Sequence, residues 1–108
     1  MEDVFILSAV RTPIGSFLGR LKDTPAPQMM GTCIKSALQS AQIKGESIEE
    51  ALIGCVLPAG MGQAPARQAV LSAGLPQSVT ATTINRVCGS GLKTVLLASQ
   101  IIQSRDAD

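Results

Sequence analysis

The sequence predicts an α/β fold built on a parallel sheet, and three observations point to it. Strand-like and helix-like segments alternate in the order β-α-β-α-β-α, which calls for parallel strands joined by right-handed crossovers. From Ala51 to Arg105 there is no acidic residue, and the only charges before Arg105 are Arg67, Arg86 and Lys93. In the last helical segment Leu92, Val95, Leu96, Leu97, Ala98, Ile101 and Ile102 cover most of the circumference. A helix that is apolar nearly all round is one covered on several sides.

Each element follows from local pattern. Val4 to Val10 is a mostly apolar run of strand length, as in a strand covered on both faces, and Arg11-Thr12-Pro13-Ile14-Gly15 ends it. Met29 or Met30, Cys33, Ile34, Ala37, Leu38 and Ala41 recur at helical spacing. Pro25 and Pro27 stand where a first turn tolerates them, and Gly45 follows as a stop. Ala51 to Leu57 reads as a second buried strand, and Pro58-Ala59-Gly60-Met61-Gly62 as a loop. A short helix from Pro65 to Ala73 stops before Gly74 and Pro76. Val79 to Asn85, rich in Thr, Val and Ile, is the third strand, and a last helix runs from near Cys88 to Ser104. There is no internal repeat and no low-complexity tract.

Composition narrows the function. The chain has 108 residues, 45% of them hydrophobic, which allows one thin domain at most. Nine Lys and Arg against eight Asp and Glu leave a net charge of +1, too little field to recruit nucleic acid or an anionic membrane. Aromatic residues make up 2%, without Trp or Tyr, so stacking platforms for single-stranded nucleic acid are missing. With no histidine the chain holds neither a Cys–His dyad nor a Ser–His–Asp triad of its own, nor an ordinary zinc-finger site. No run of about 18 consecutive apolar residues exists, and the acidic start Met1-Glu2-Asp3 is unlike a secretory leader. Cys33, Cys55 and Cys88 are odd in number, widely spaced and set in apolar surroundings, which suits a reducing compartment. The expectation is a soluble, cytoplasmic protein.

Two glycine-rich segments are candidates for chemistry. Gly60-Met61-Gly62-Gln63-Ala64-Pro65 lies between a strand and a helix, as a dinucleotide loop would. Pro65 replaces the third glycine, and no carboxylate follows about twenty residues on, so a turn that packs a helix is the favoured reading. Arg67, in apolar surroundings, reads as a structural or interfacial hydrogen-bonding fork. Cys33 on the apolar face of the first helix and Cys55 inside a strand read as small core residues. Cys88 differs: it follows the strand end Thr83-Ile84-Asn85, opens the last helix, and precedes Gly89-Ser90-Gly91. Helix N-terminal amides stabilise an anion, so this position favours a thiolate, and the glycines allow a substrate close to the backbone.

Asn85-Arg86-Val87-Cys88-Gly89-Ser90-Gly91-Leu92 resembles the acyl-enzyme segment of the thiolase family. Val10-Arg11-Thr12-Pro13-Ile14-Gly15-Ser16-Phe17 is similar to that family's N-terminal strand and turn, and Gly60 to Gln68 to its second-strand loop and helix. The resemblance covers the whole chain. Ala64 departs from it, standing where the family commonly has Asn.

The resemblance implies an acyltransferase. The Cys88 thiolate would attack the thioester of acetyl-CoA to give an acetyl-enzyme and CoA, and a second acetyl-CoA would then condense to acetoacetyl-CoA. The reverse reaction is thiolysis. Acetyl-CoA and CoA are substrates, no cofactor and no metal is implied, and the Cys88 amide is a candidate oxyanion donor. A homodimer or homotetramer is expected of the complete enzyme, with no nucleic-acid or membrane partner. The family's layered α-β-α-β-α fold contains two similar halves, and residues 1–108 match about the first three strand–helix units of the first half. The activating histidine and the second cysteine lie later in that family's chains, so the expectation is a leading portion that is inactive alone and associates through its apolar helix. The alternatives are a condensing enzyme of the ketoacyl-synthase type and a non-catalytic, truncated assembly partner.

Overall fold

A computed structural model describes residues 2–108. Five elements carry the fold: α1 (Ala26–Ala41), β1 (Glu50–Gly54), α2 (Pro65–Ser72), β2 (Thr80–Ile84) and α3 (Ser90–Ser104). A single 3₁₀ turn, Gly45–Ser47, leads into β1. The strands pair in parallel without offset, from Glu50 opposite Thr80 to Gly54 opposite Ile84, with α2 as the crossover. Alternation then sorts the side chains between two layers of helix.

Ala51 and Ile53 of β1 and Ala81 of β2 face α1 and α2. Ile53, Ala66 and Ala69 form one buried cluster, and Val70, Leu75 and Val79 another, with Met30, Ile34 and Leu38 of α1 closing over them. α1 and α2 cross at Gly31, where a Cβ would stand 2.7 Å from Ser72 Oγ. Only a glycine allows that approach without displacing the neighbour. α3 packs on the opposite face, mainly against β1.

The starts and stops are mostly those of the sequence pattern. Pro27 occupies the first turn of α1, and no side chain caps that end. α1 ends before Gly45, because Gln42 takes the left-handed conformation (φ 57°) and the Ile43 amide bonds back to Leu38 O at 3.0 Å. The Gly60–Ala64 loop is a packed turn, as expected: the Gln68 amide Nε2 donates to Met61 O and Gln63 O, both at 2.7 Å. Arg67 is the expected fork, giving Nη1 to Val79 O (2.8 Å) and Nη2 to Gln77 O (3.1 Å). It ties α2 to the entry of β2.

Two strand expectations are corrected. Residues 4–10 form no strand, and Phe5, Ile6 and Leu7 are 74%, 78% and 66% exposed. A strand needs a neighbour for its backbone groups, and the sheet of the described residues contains β1 and β2 alone. An exposed ion pair from Glu2 Oε1 to Arg105 (2.7 Å) ties this segment to the end of α3, a contact of little energetic weight. The second strand is also shorter than Ala51–Leu57, running from Glu50 to Gly54, so Cys55 lies just beyond it. Its partner β2 ends at Ile84, whose carbonyl accepts the Cys55 amide at 2.9 Å, and the ladder ends there.

Candidate active site

The site is built where the C-terminal ends of the two strands meet the start of α3. Gly54, the last residue of β1, makes that junction possible. A Cβ there would stand 2.8 Å from the Gly91 amide nitrogen and 2.8 Å from the Ser90 carbonyl carbon. The absent side chain lets the first turn of α3 rest directly on the strand. Ser90, the first helical residue, is 5% exposed.

Between Ile84 and Ser90 the chain makes a tight turn. Val87 has φ 50°, a left-handed conformation that is unfavourable for a β-branched residue. Side chains on both flanks hold it. Asn85 Oδ1 accepts the Val87 amide at 2.9 Å, while its Nδ2 donates to Val56 O at 3.3 Å. Ser90 Oγ accepts the Arg86 amide at 2.8 Å and donates its own proton to Val87 O at 2.7 Å. The Gly89 amide closes on Arg86 O at 3.1 Å.

Cys88 follows Val87 in this turn, ahead of the cap residue Gly89, and is an exposed free thiol. It stands just before the helix, whereas the sequence pattern has it opening the helix. Cys33 and Cys55 are half-buried free thiols, and Cys55 Sγ lies 4.0 Å from Met61 Sδ. The three cysteines are therefore not brought together. Of them only Cys88 offers its sulfur openly at strand ends, where α/β folds place their sites. A groove of about 330 Å³ runs along the unpaired edge of β1, from Met30, Ile34 and Leu38 to Gly91 and Thr94, and Cys88 does not line it. Among the described residues no group of His, Cys, Asp and Glu could hold a metal ion. No described helix is long and apolar enough to cross a membrane.

The sequence pattern singles out Cys88 as a candidate but does not itself show the hydrogen bonds that shape its turn. Asn85 and Ser90 did carry a signal. Both residue types bond readily to nearby backbone and stabilise turns.

Residues 4–108 match the family model described as thiolase, N-terminal domain. The chain belongs to the thiolase family. It is 53% identical over 108 residues to an acetyl-CoA acetyltransferase of Cupriavidus necator, a match spanning 100% of this chain and 28% of that protein. A cytosolic acetyl-CoA acetyltransferase of Gibberella zeae is 51% identical over 100% of this chain and 27% of its own length. The human mitochondrial acetyl-CoA acetyltransferase is 50% identical over 100% of this chain and 25% of its own. Among solved structures, the Acat5 thiolase of Ascaris suum in complex with coenzyme A superposes with a TM-score of 0.89 at 40% identity, over 95% of this chain and 27% of that one. The chain thus spans about a quarter of the length of these thiolases.

Proposed function

We propose that this chain carries the acyl-accepting end of an acetyl-CoA acetyltransferase, with Cys88 as the nucleophile. The observation that supports this most is the exposed Cys88 thiol, fixed at the strand ends ahead of α3, in a thiolase chain 50–53% identical to relatives of that name.

The chemistry is a two-stage transfer. Cys88 Sγ adds to the thioester carbonyl of acetyl-CoA, and the bond from that carbonyl to the CoA sulfur breaks. CoA departs as its thiol, taking up through a base the proton that the Cys88 thiol gave up, and an acetyl group is left on Cys88. A base then takes a proton from the methyl group of a second acetyl-CoA. The resulting carbanion attacks the acetyl carbonyl, expels the Cys88 thiolate and forms acetoacetyl-CoA. Thiolysis reverses these steps. The Cys88 amide is the candidate donor to the oxyanion of the first step. With no histidine among the 108 residues, the base and the α-proton acceptor come from elsewhere in the assembly. The chain by itself is expected to be inactive.

No cofactor is needed, because acetyl-CoA already carries the activated acyl group. The three free thiols fit a reducing compartment, which we take as the cytoplasm. The assembly is expected to be a homodimer or homotetramer, consistent with exposed Phe5, Ile6, Leu92 and Leu96.

The test joins these 108 residues to the remainder of the Cupriavidus protein and incubates the hybrid with acetyl-CoA alone. Acid quench and peptide mass spectrometry should place one acetyl group on the peptide from Arg86 to Lys93. Cys88→Ser should remove that label and lower turnover by more than about a thousandfold, since a lost nucleophile disables residues that act as a unit. Cys33→Ser should keep the label. An acetyl group on Cys33 or Cys55, or normal turnover in Cys88→Ser, would overturn the assignment.

A further inference from the structure

We infer that Ser90 and Asn85 are positioning residues for Cys88: together they clamp the left-handed turn at Val87 that presents the thiol. The inference rests on the reading of Cys88 as the nucleophile and adds the device that aims it.

The local geometry is costly without support. Val is among the residues least suited to positive φ, so Val87 at 50° persists only where its surroundings hold it. Ser90 supplies one hold. Its hydroxyl accepts from the Arg86 amide and donates to the Val87 carbonyl, so one oxygen bridges both sides of the strained residue. That hydroxyl belongs to the one buried polar side chain among the described residues. Both of these bonds are spent on the turn. Asn85 supplies the second hold from the exposed side, accepting the Val87 amide and anchoring through Nδ2 to Val56 O beyond the end of β1.

The clamp also fixes the turn to rigid elements. Ser90 is the first residue of α3 and sits against Gly54 of β1. Asn85 follows directly on β2. Cys88 is thereby held between two strand ends and a helix start by a turn that four hydrogen bonds fix. A nucleophile must lie within a few tenths of an ångström of its line of attack, and a misplacement of about 1 Å costs on the order of 10²-fold in rate.

This predicts a specific rescue. If Ser90 works by holding Val87 left-handed, a glycine at position 87 replaces that work, because glycine adopts positive φ without steric cost. The experiment measures the single-turnover rate of Cys88 acetylation in the hybrid enzyme, together with the KM for acetyl-CoA and the melting temperature. Hydrogen exchange at the Arg86 and Val87 amides is followed in the 108-residue chain. Ser90→Ala should slow acetylation by about 10- to 100-fold, leave KM within about twofold, and speed exchange at Arg86. Adding Val87→Gly to Ser90→Ala should recover most of the acetylation rate while the melting temperature stays low or falls further. A purely structural role for Ser90 would not give that split.

Asn85→Ala, a change at an exposed site, gives a second measure if Ser90→Ala folds poorly. It should slow acetylation in the same direction and expose the Val87 amide, and Val87→Gly should again restore the rate. Acetylation at the parental rate in both Ser90→Ala and Asn85→Ala overturns the clamp and leaves Cys88 as nucleophile. Slowed acetylation that Val87→Gly does not restore overturns it equally. A hybrid with every clamp residue intact that never acetylates Cys88 overturns the functional reading, and the clamp's catalytic role with it.

Discussion

The two faces of the β1–β2 sheet are built on different principles. On the α1/α2 face, Ala66, Ala69 and Val70 are fully buried and Val79 nearly so, and helix meets sheet through close apolar packing. On the α3 face, Leu92, Val95 and Leu96 are 68%, 48% and 51% exposed, and the single buried residue of the helix is Ser90. One face holds the fold together. The other carries the candidate site, and its shape comes from hydrogen bonds and from one missing side chain, Gly54. Close packing resists change in every direction, whereas a hydrogen-bonded turn can be redirected by altering one partner. A site on the second face therefore adds little to stability and is easily misaimed.

The contrast can be tested by urea unfolding of single variants of the chain. The largest loss is expected at Val70→Ala, where removed methyl groups leave a cavity in the dry face at a cost of about 2–3 kcal/mol. Gly54→Ala comes next, at about 1–3 kcal/mol, because the new Cβ meets the backbone of Ser90 and Gly91 rather than a side chain that could move. It should also slow Cys88 acetylation in the hybrid, joining the two faces through one position. A gain of about 0.5–1 kcal/mol is expected from Ala64→Gly: Ala64 has φ 45° ahead of α2, and glycine takes that conformation freely. Ala64→Asn should share the gain in part, since Asn tolerates the left-handed region better than Ala. The smallest effect belongs to Leu92→Ala, within about 0.5 kcal/mol, because that side chain is already in water. If Leu92→Ala cost as much as Val70→Ala, the distinction between the faces would collapse.

Much of this layout is legible in the sequence, for identifiable reasons. The spacing of Met30, Ile34 and Leu38 marks the face of α1 that the structure buries against the α2 layer. The Thr-rich run ending at Asn85 lies within a residue of β2 at either end, and α2 starts at Pro65 as its position implies. Residues 4–10 show the limit of such patterns: they record that a segment can be a strand, while pairing depends on a neighbour the pattern does not name. Cys55 is misplaced for the same reason, since the end of β2 sets where β1 stops. The thiolase relationship is legible in three motifs, while the place of Cys88 between strand end and glycines marks it as the candidate nucleophile. The turn itself was hidden because it runs against local preference. A valine gives no warning of positive φ, and only its partners Asn85 and Ser90 explain why it is held there.

The exact pairing of β1 with β2 restricts which changes of length the chain can absorb. Gly54 stands opposite Ile84, so the residues that leave the two strands do so side by side. One residue inserted into Thr80–Ile84 would reverse the facing of every side chain after it. Asn85, which shares the parity of Ala81 and Thr83 on the α1/α2 side, would then be turned to the opposite face, and the segment bearing Cys88 would start from the wrong side of the sheet. A deletion there would do the same. The connection between α1 and β1 is under no such constraint, because residues 42–44 belong to neither strand nor helix. Insertions and deletions should therefore be tolerated at 42–44 and rejected at 80–84, a pattern that a library of single-residue length variants, selected for acetyl transfer in the hybrid enzyme, would reveal directly.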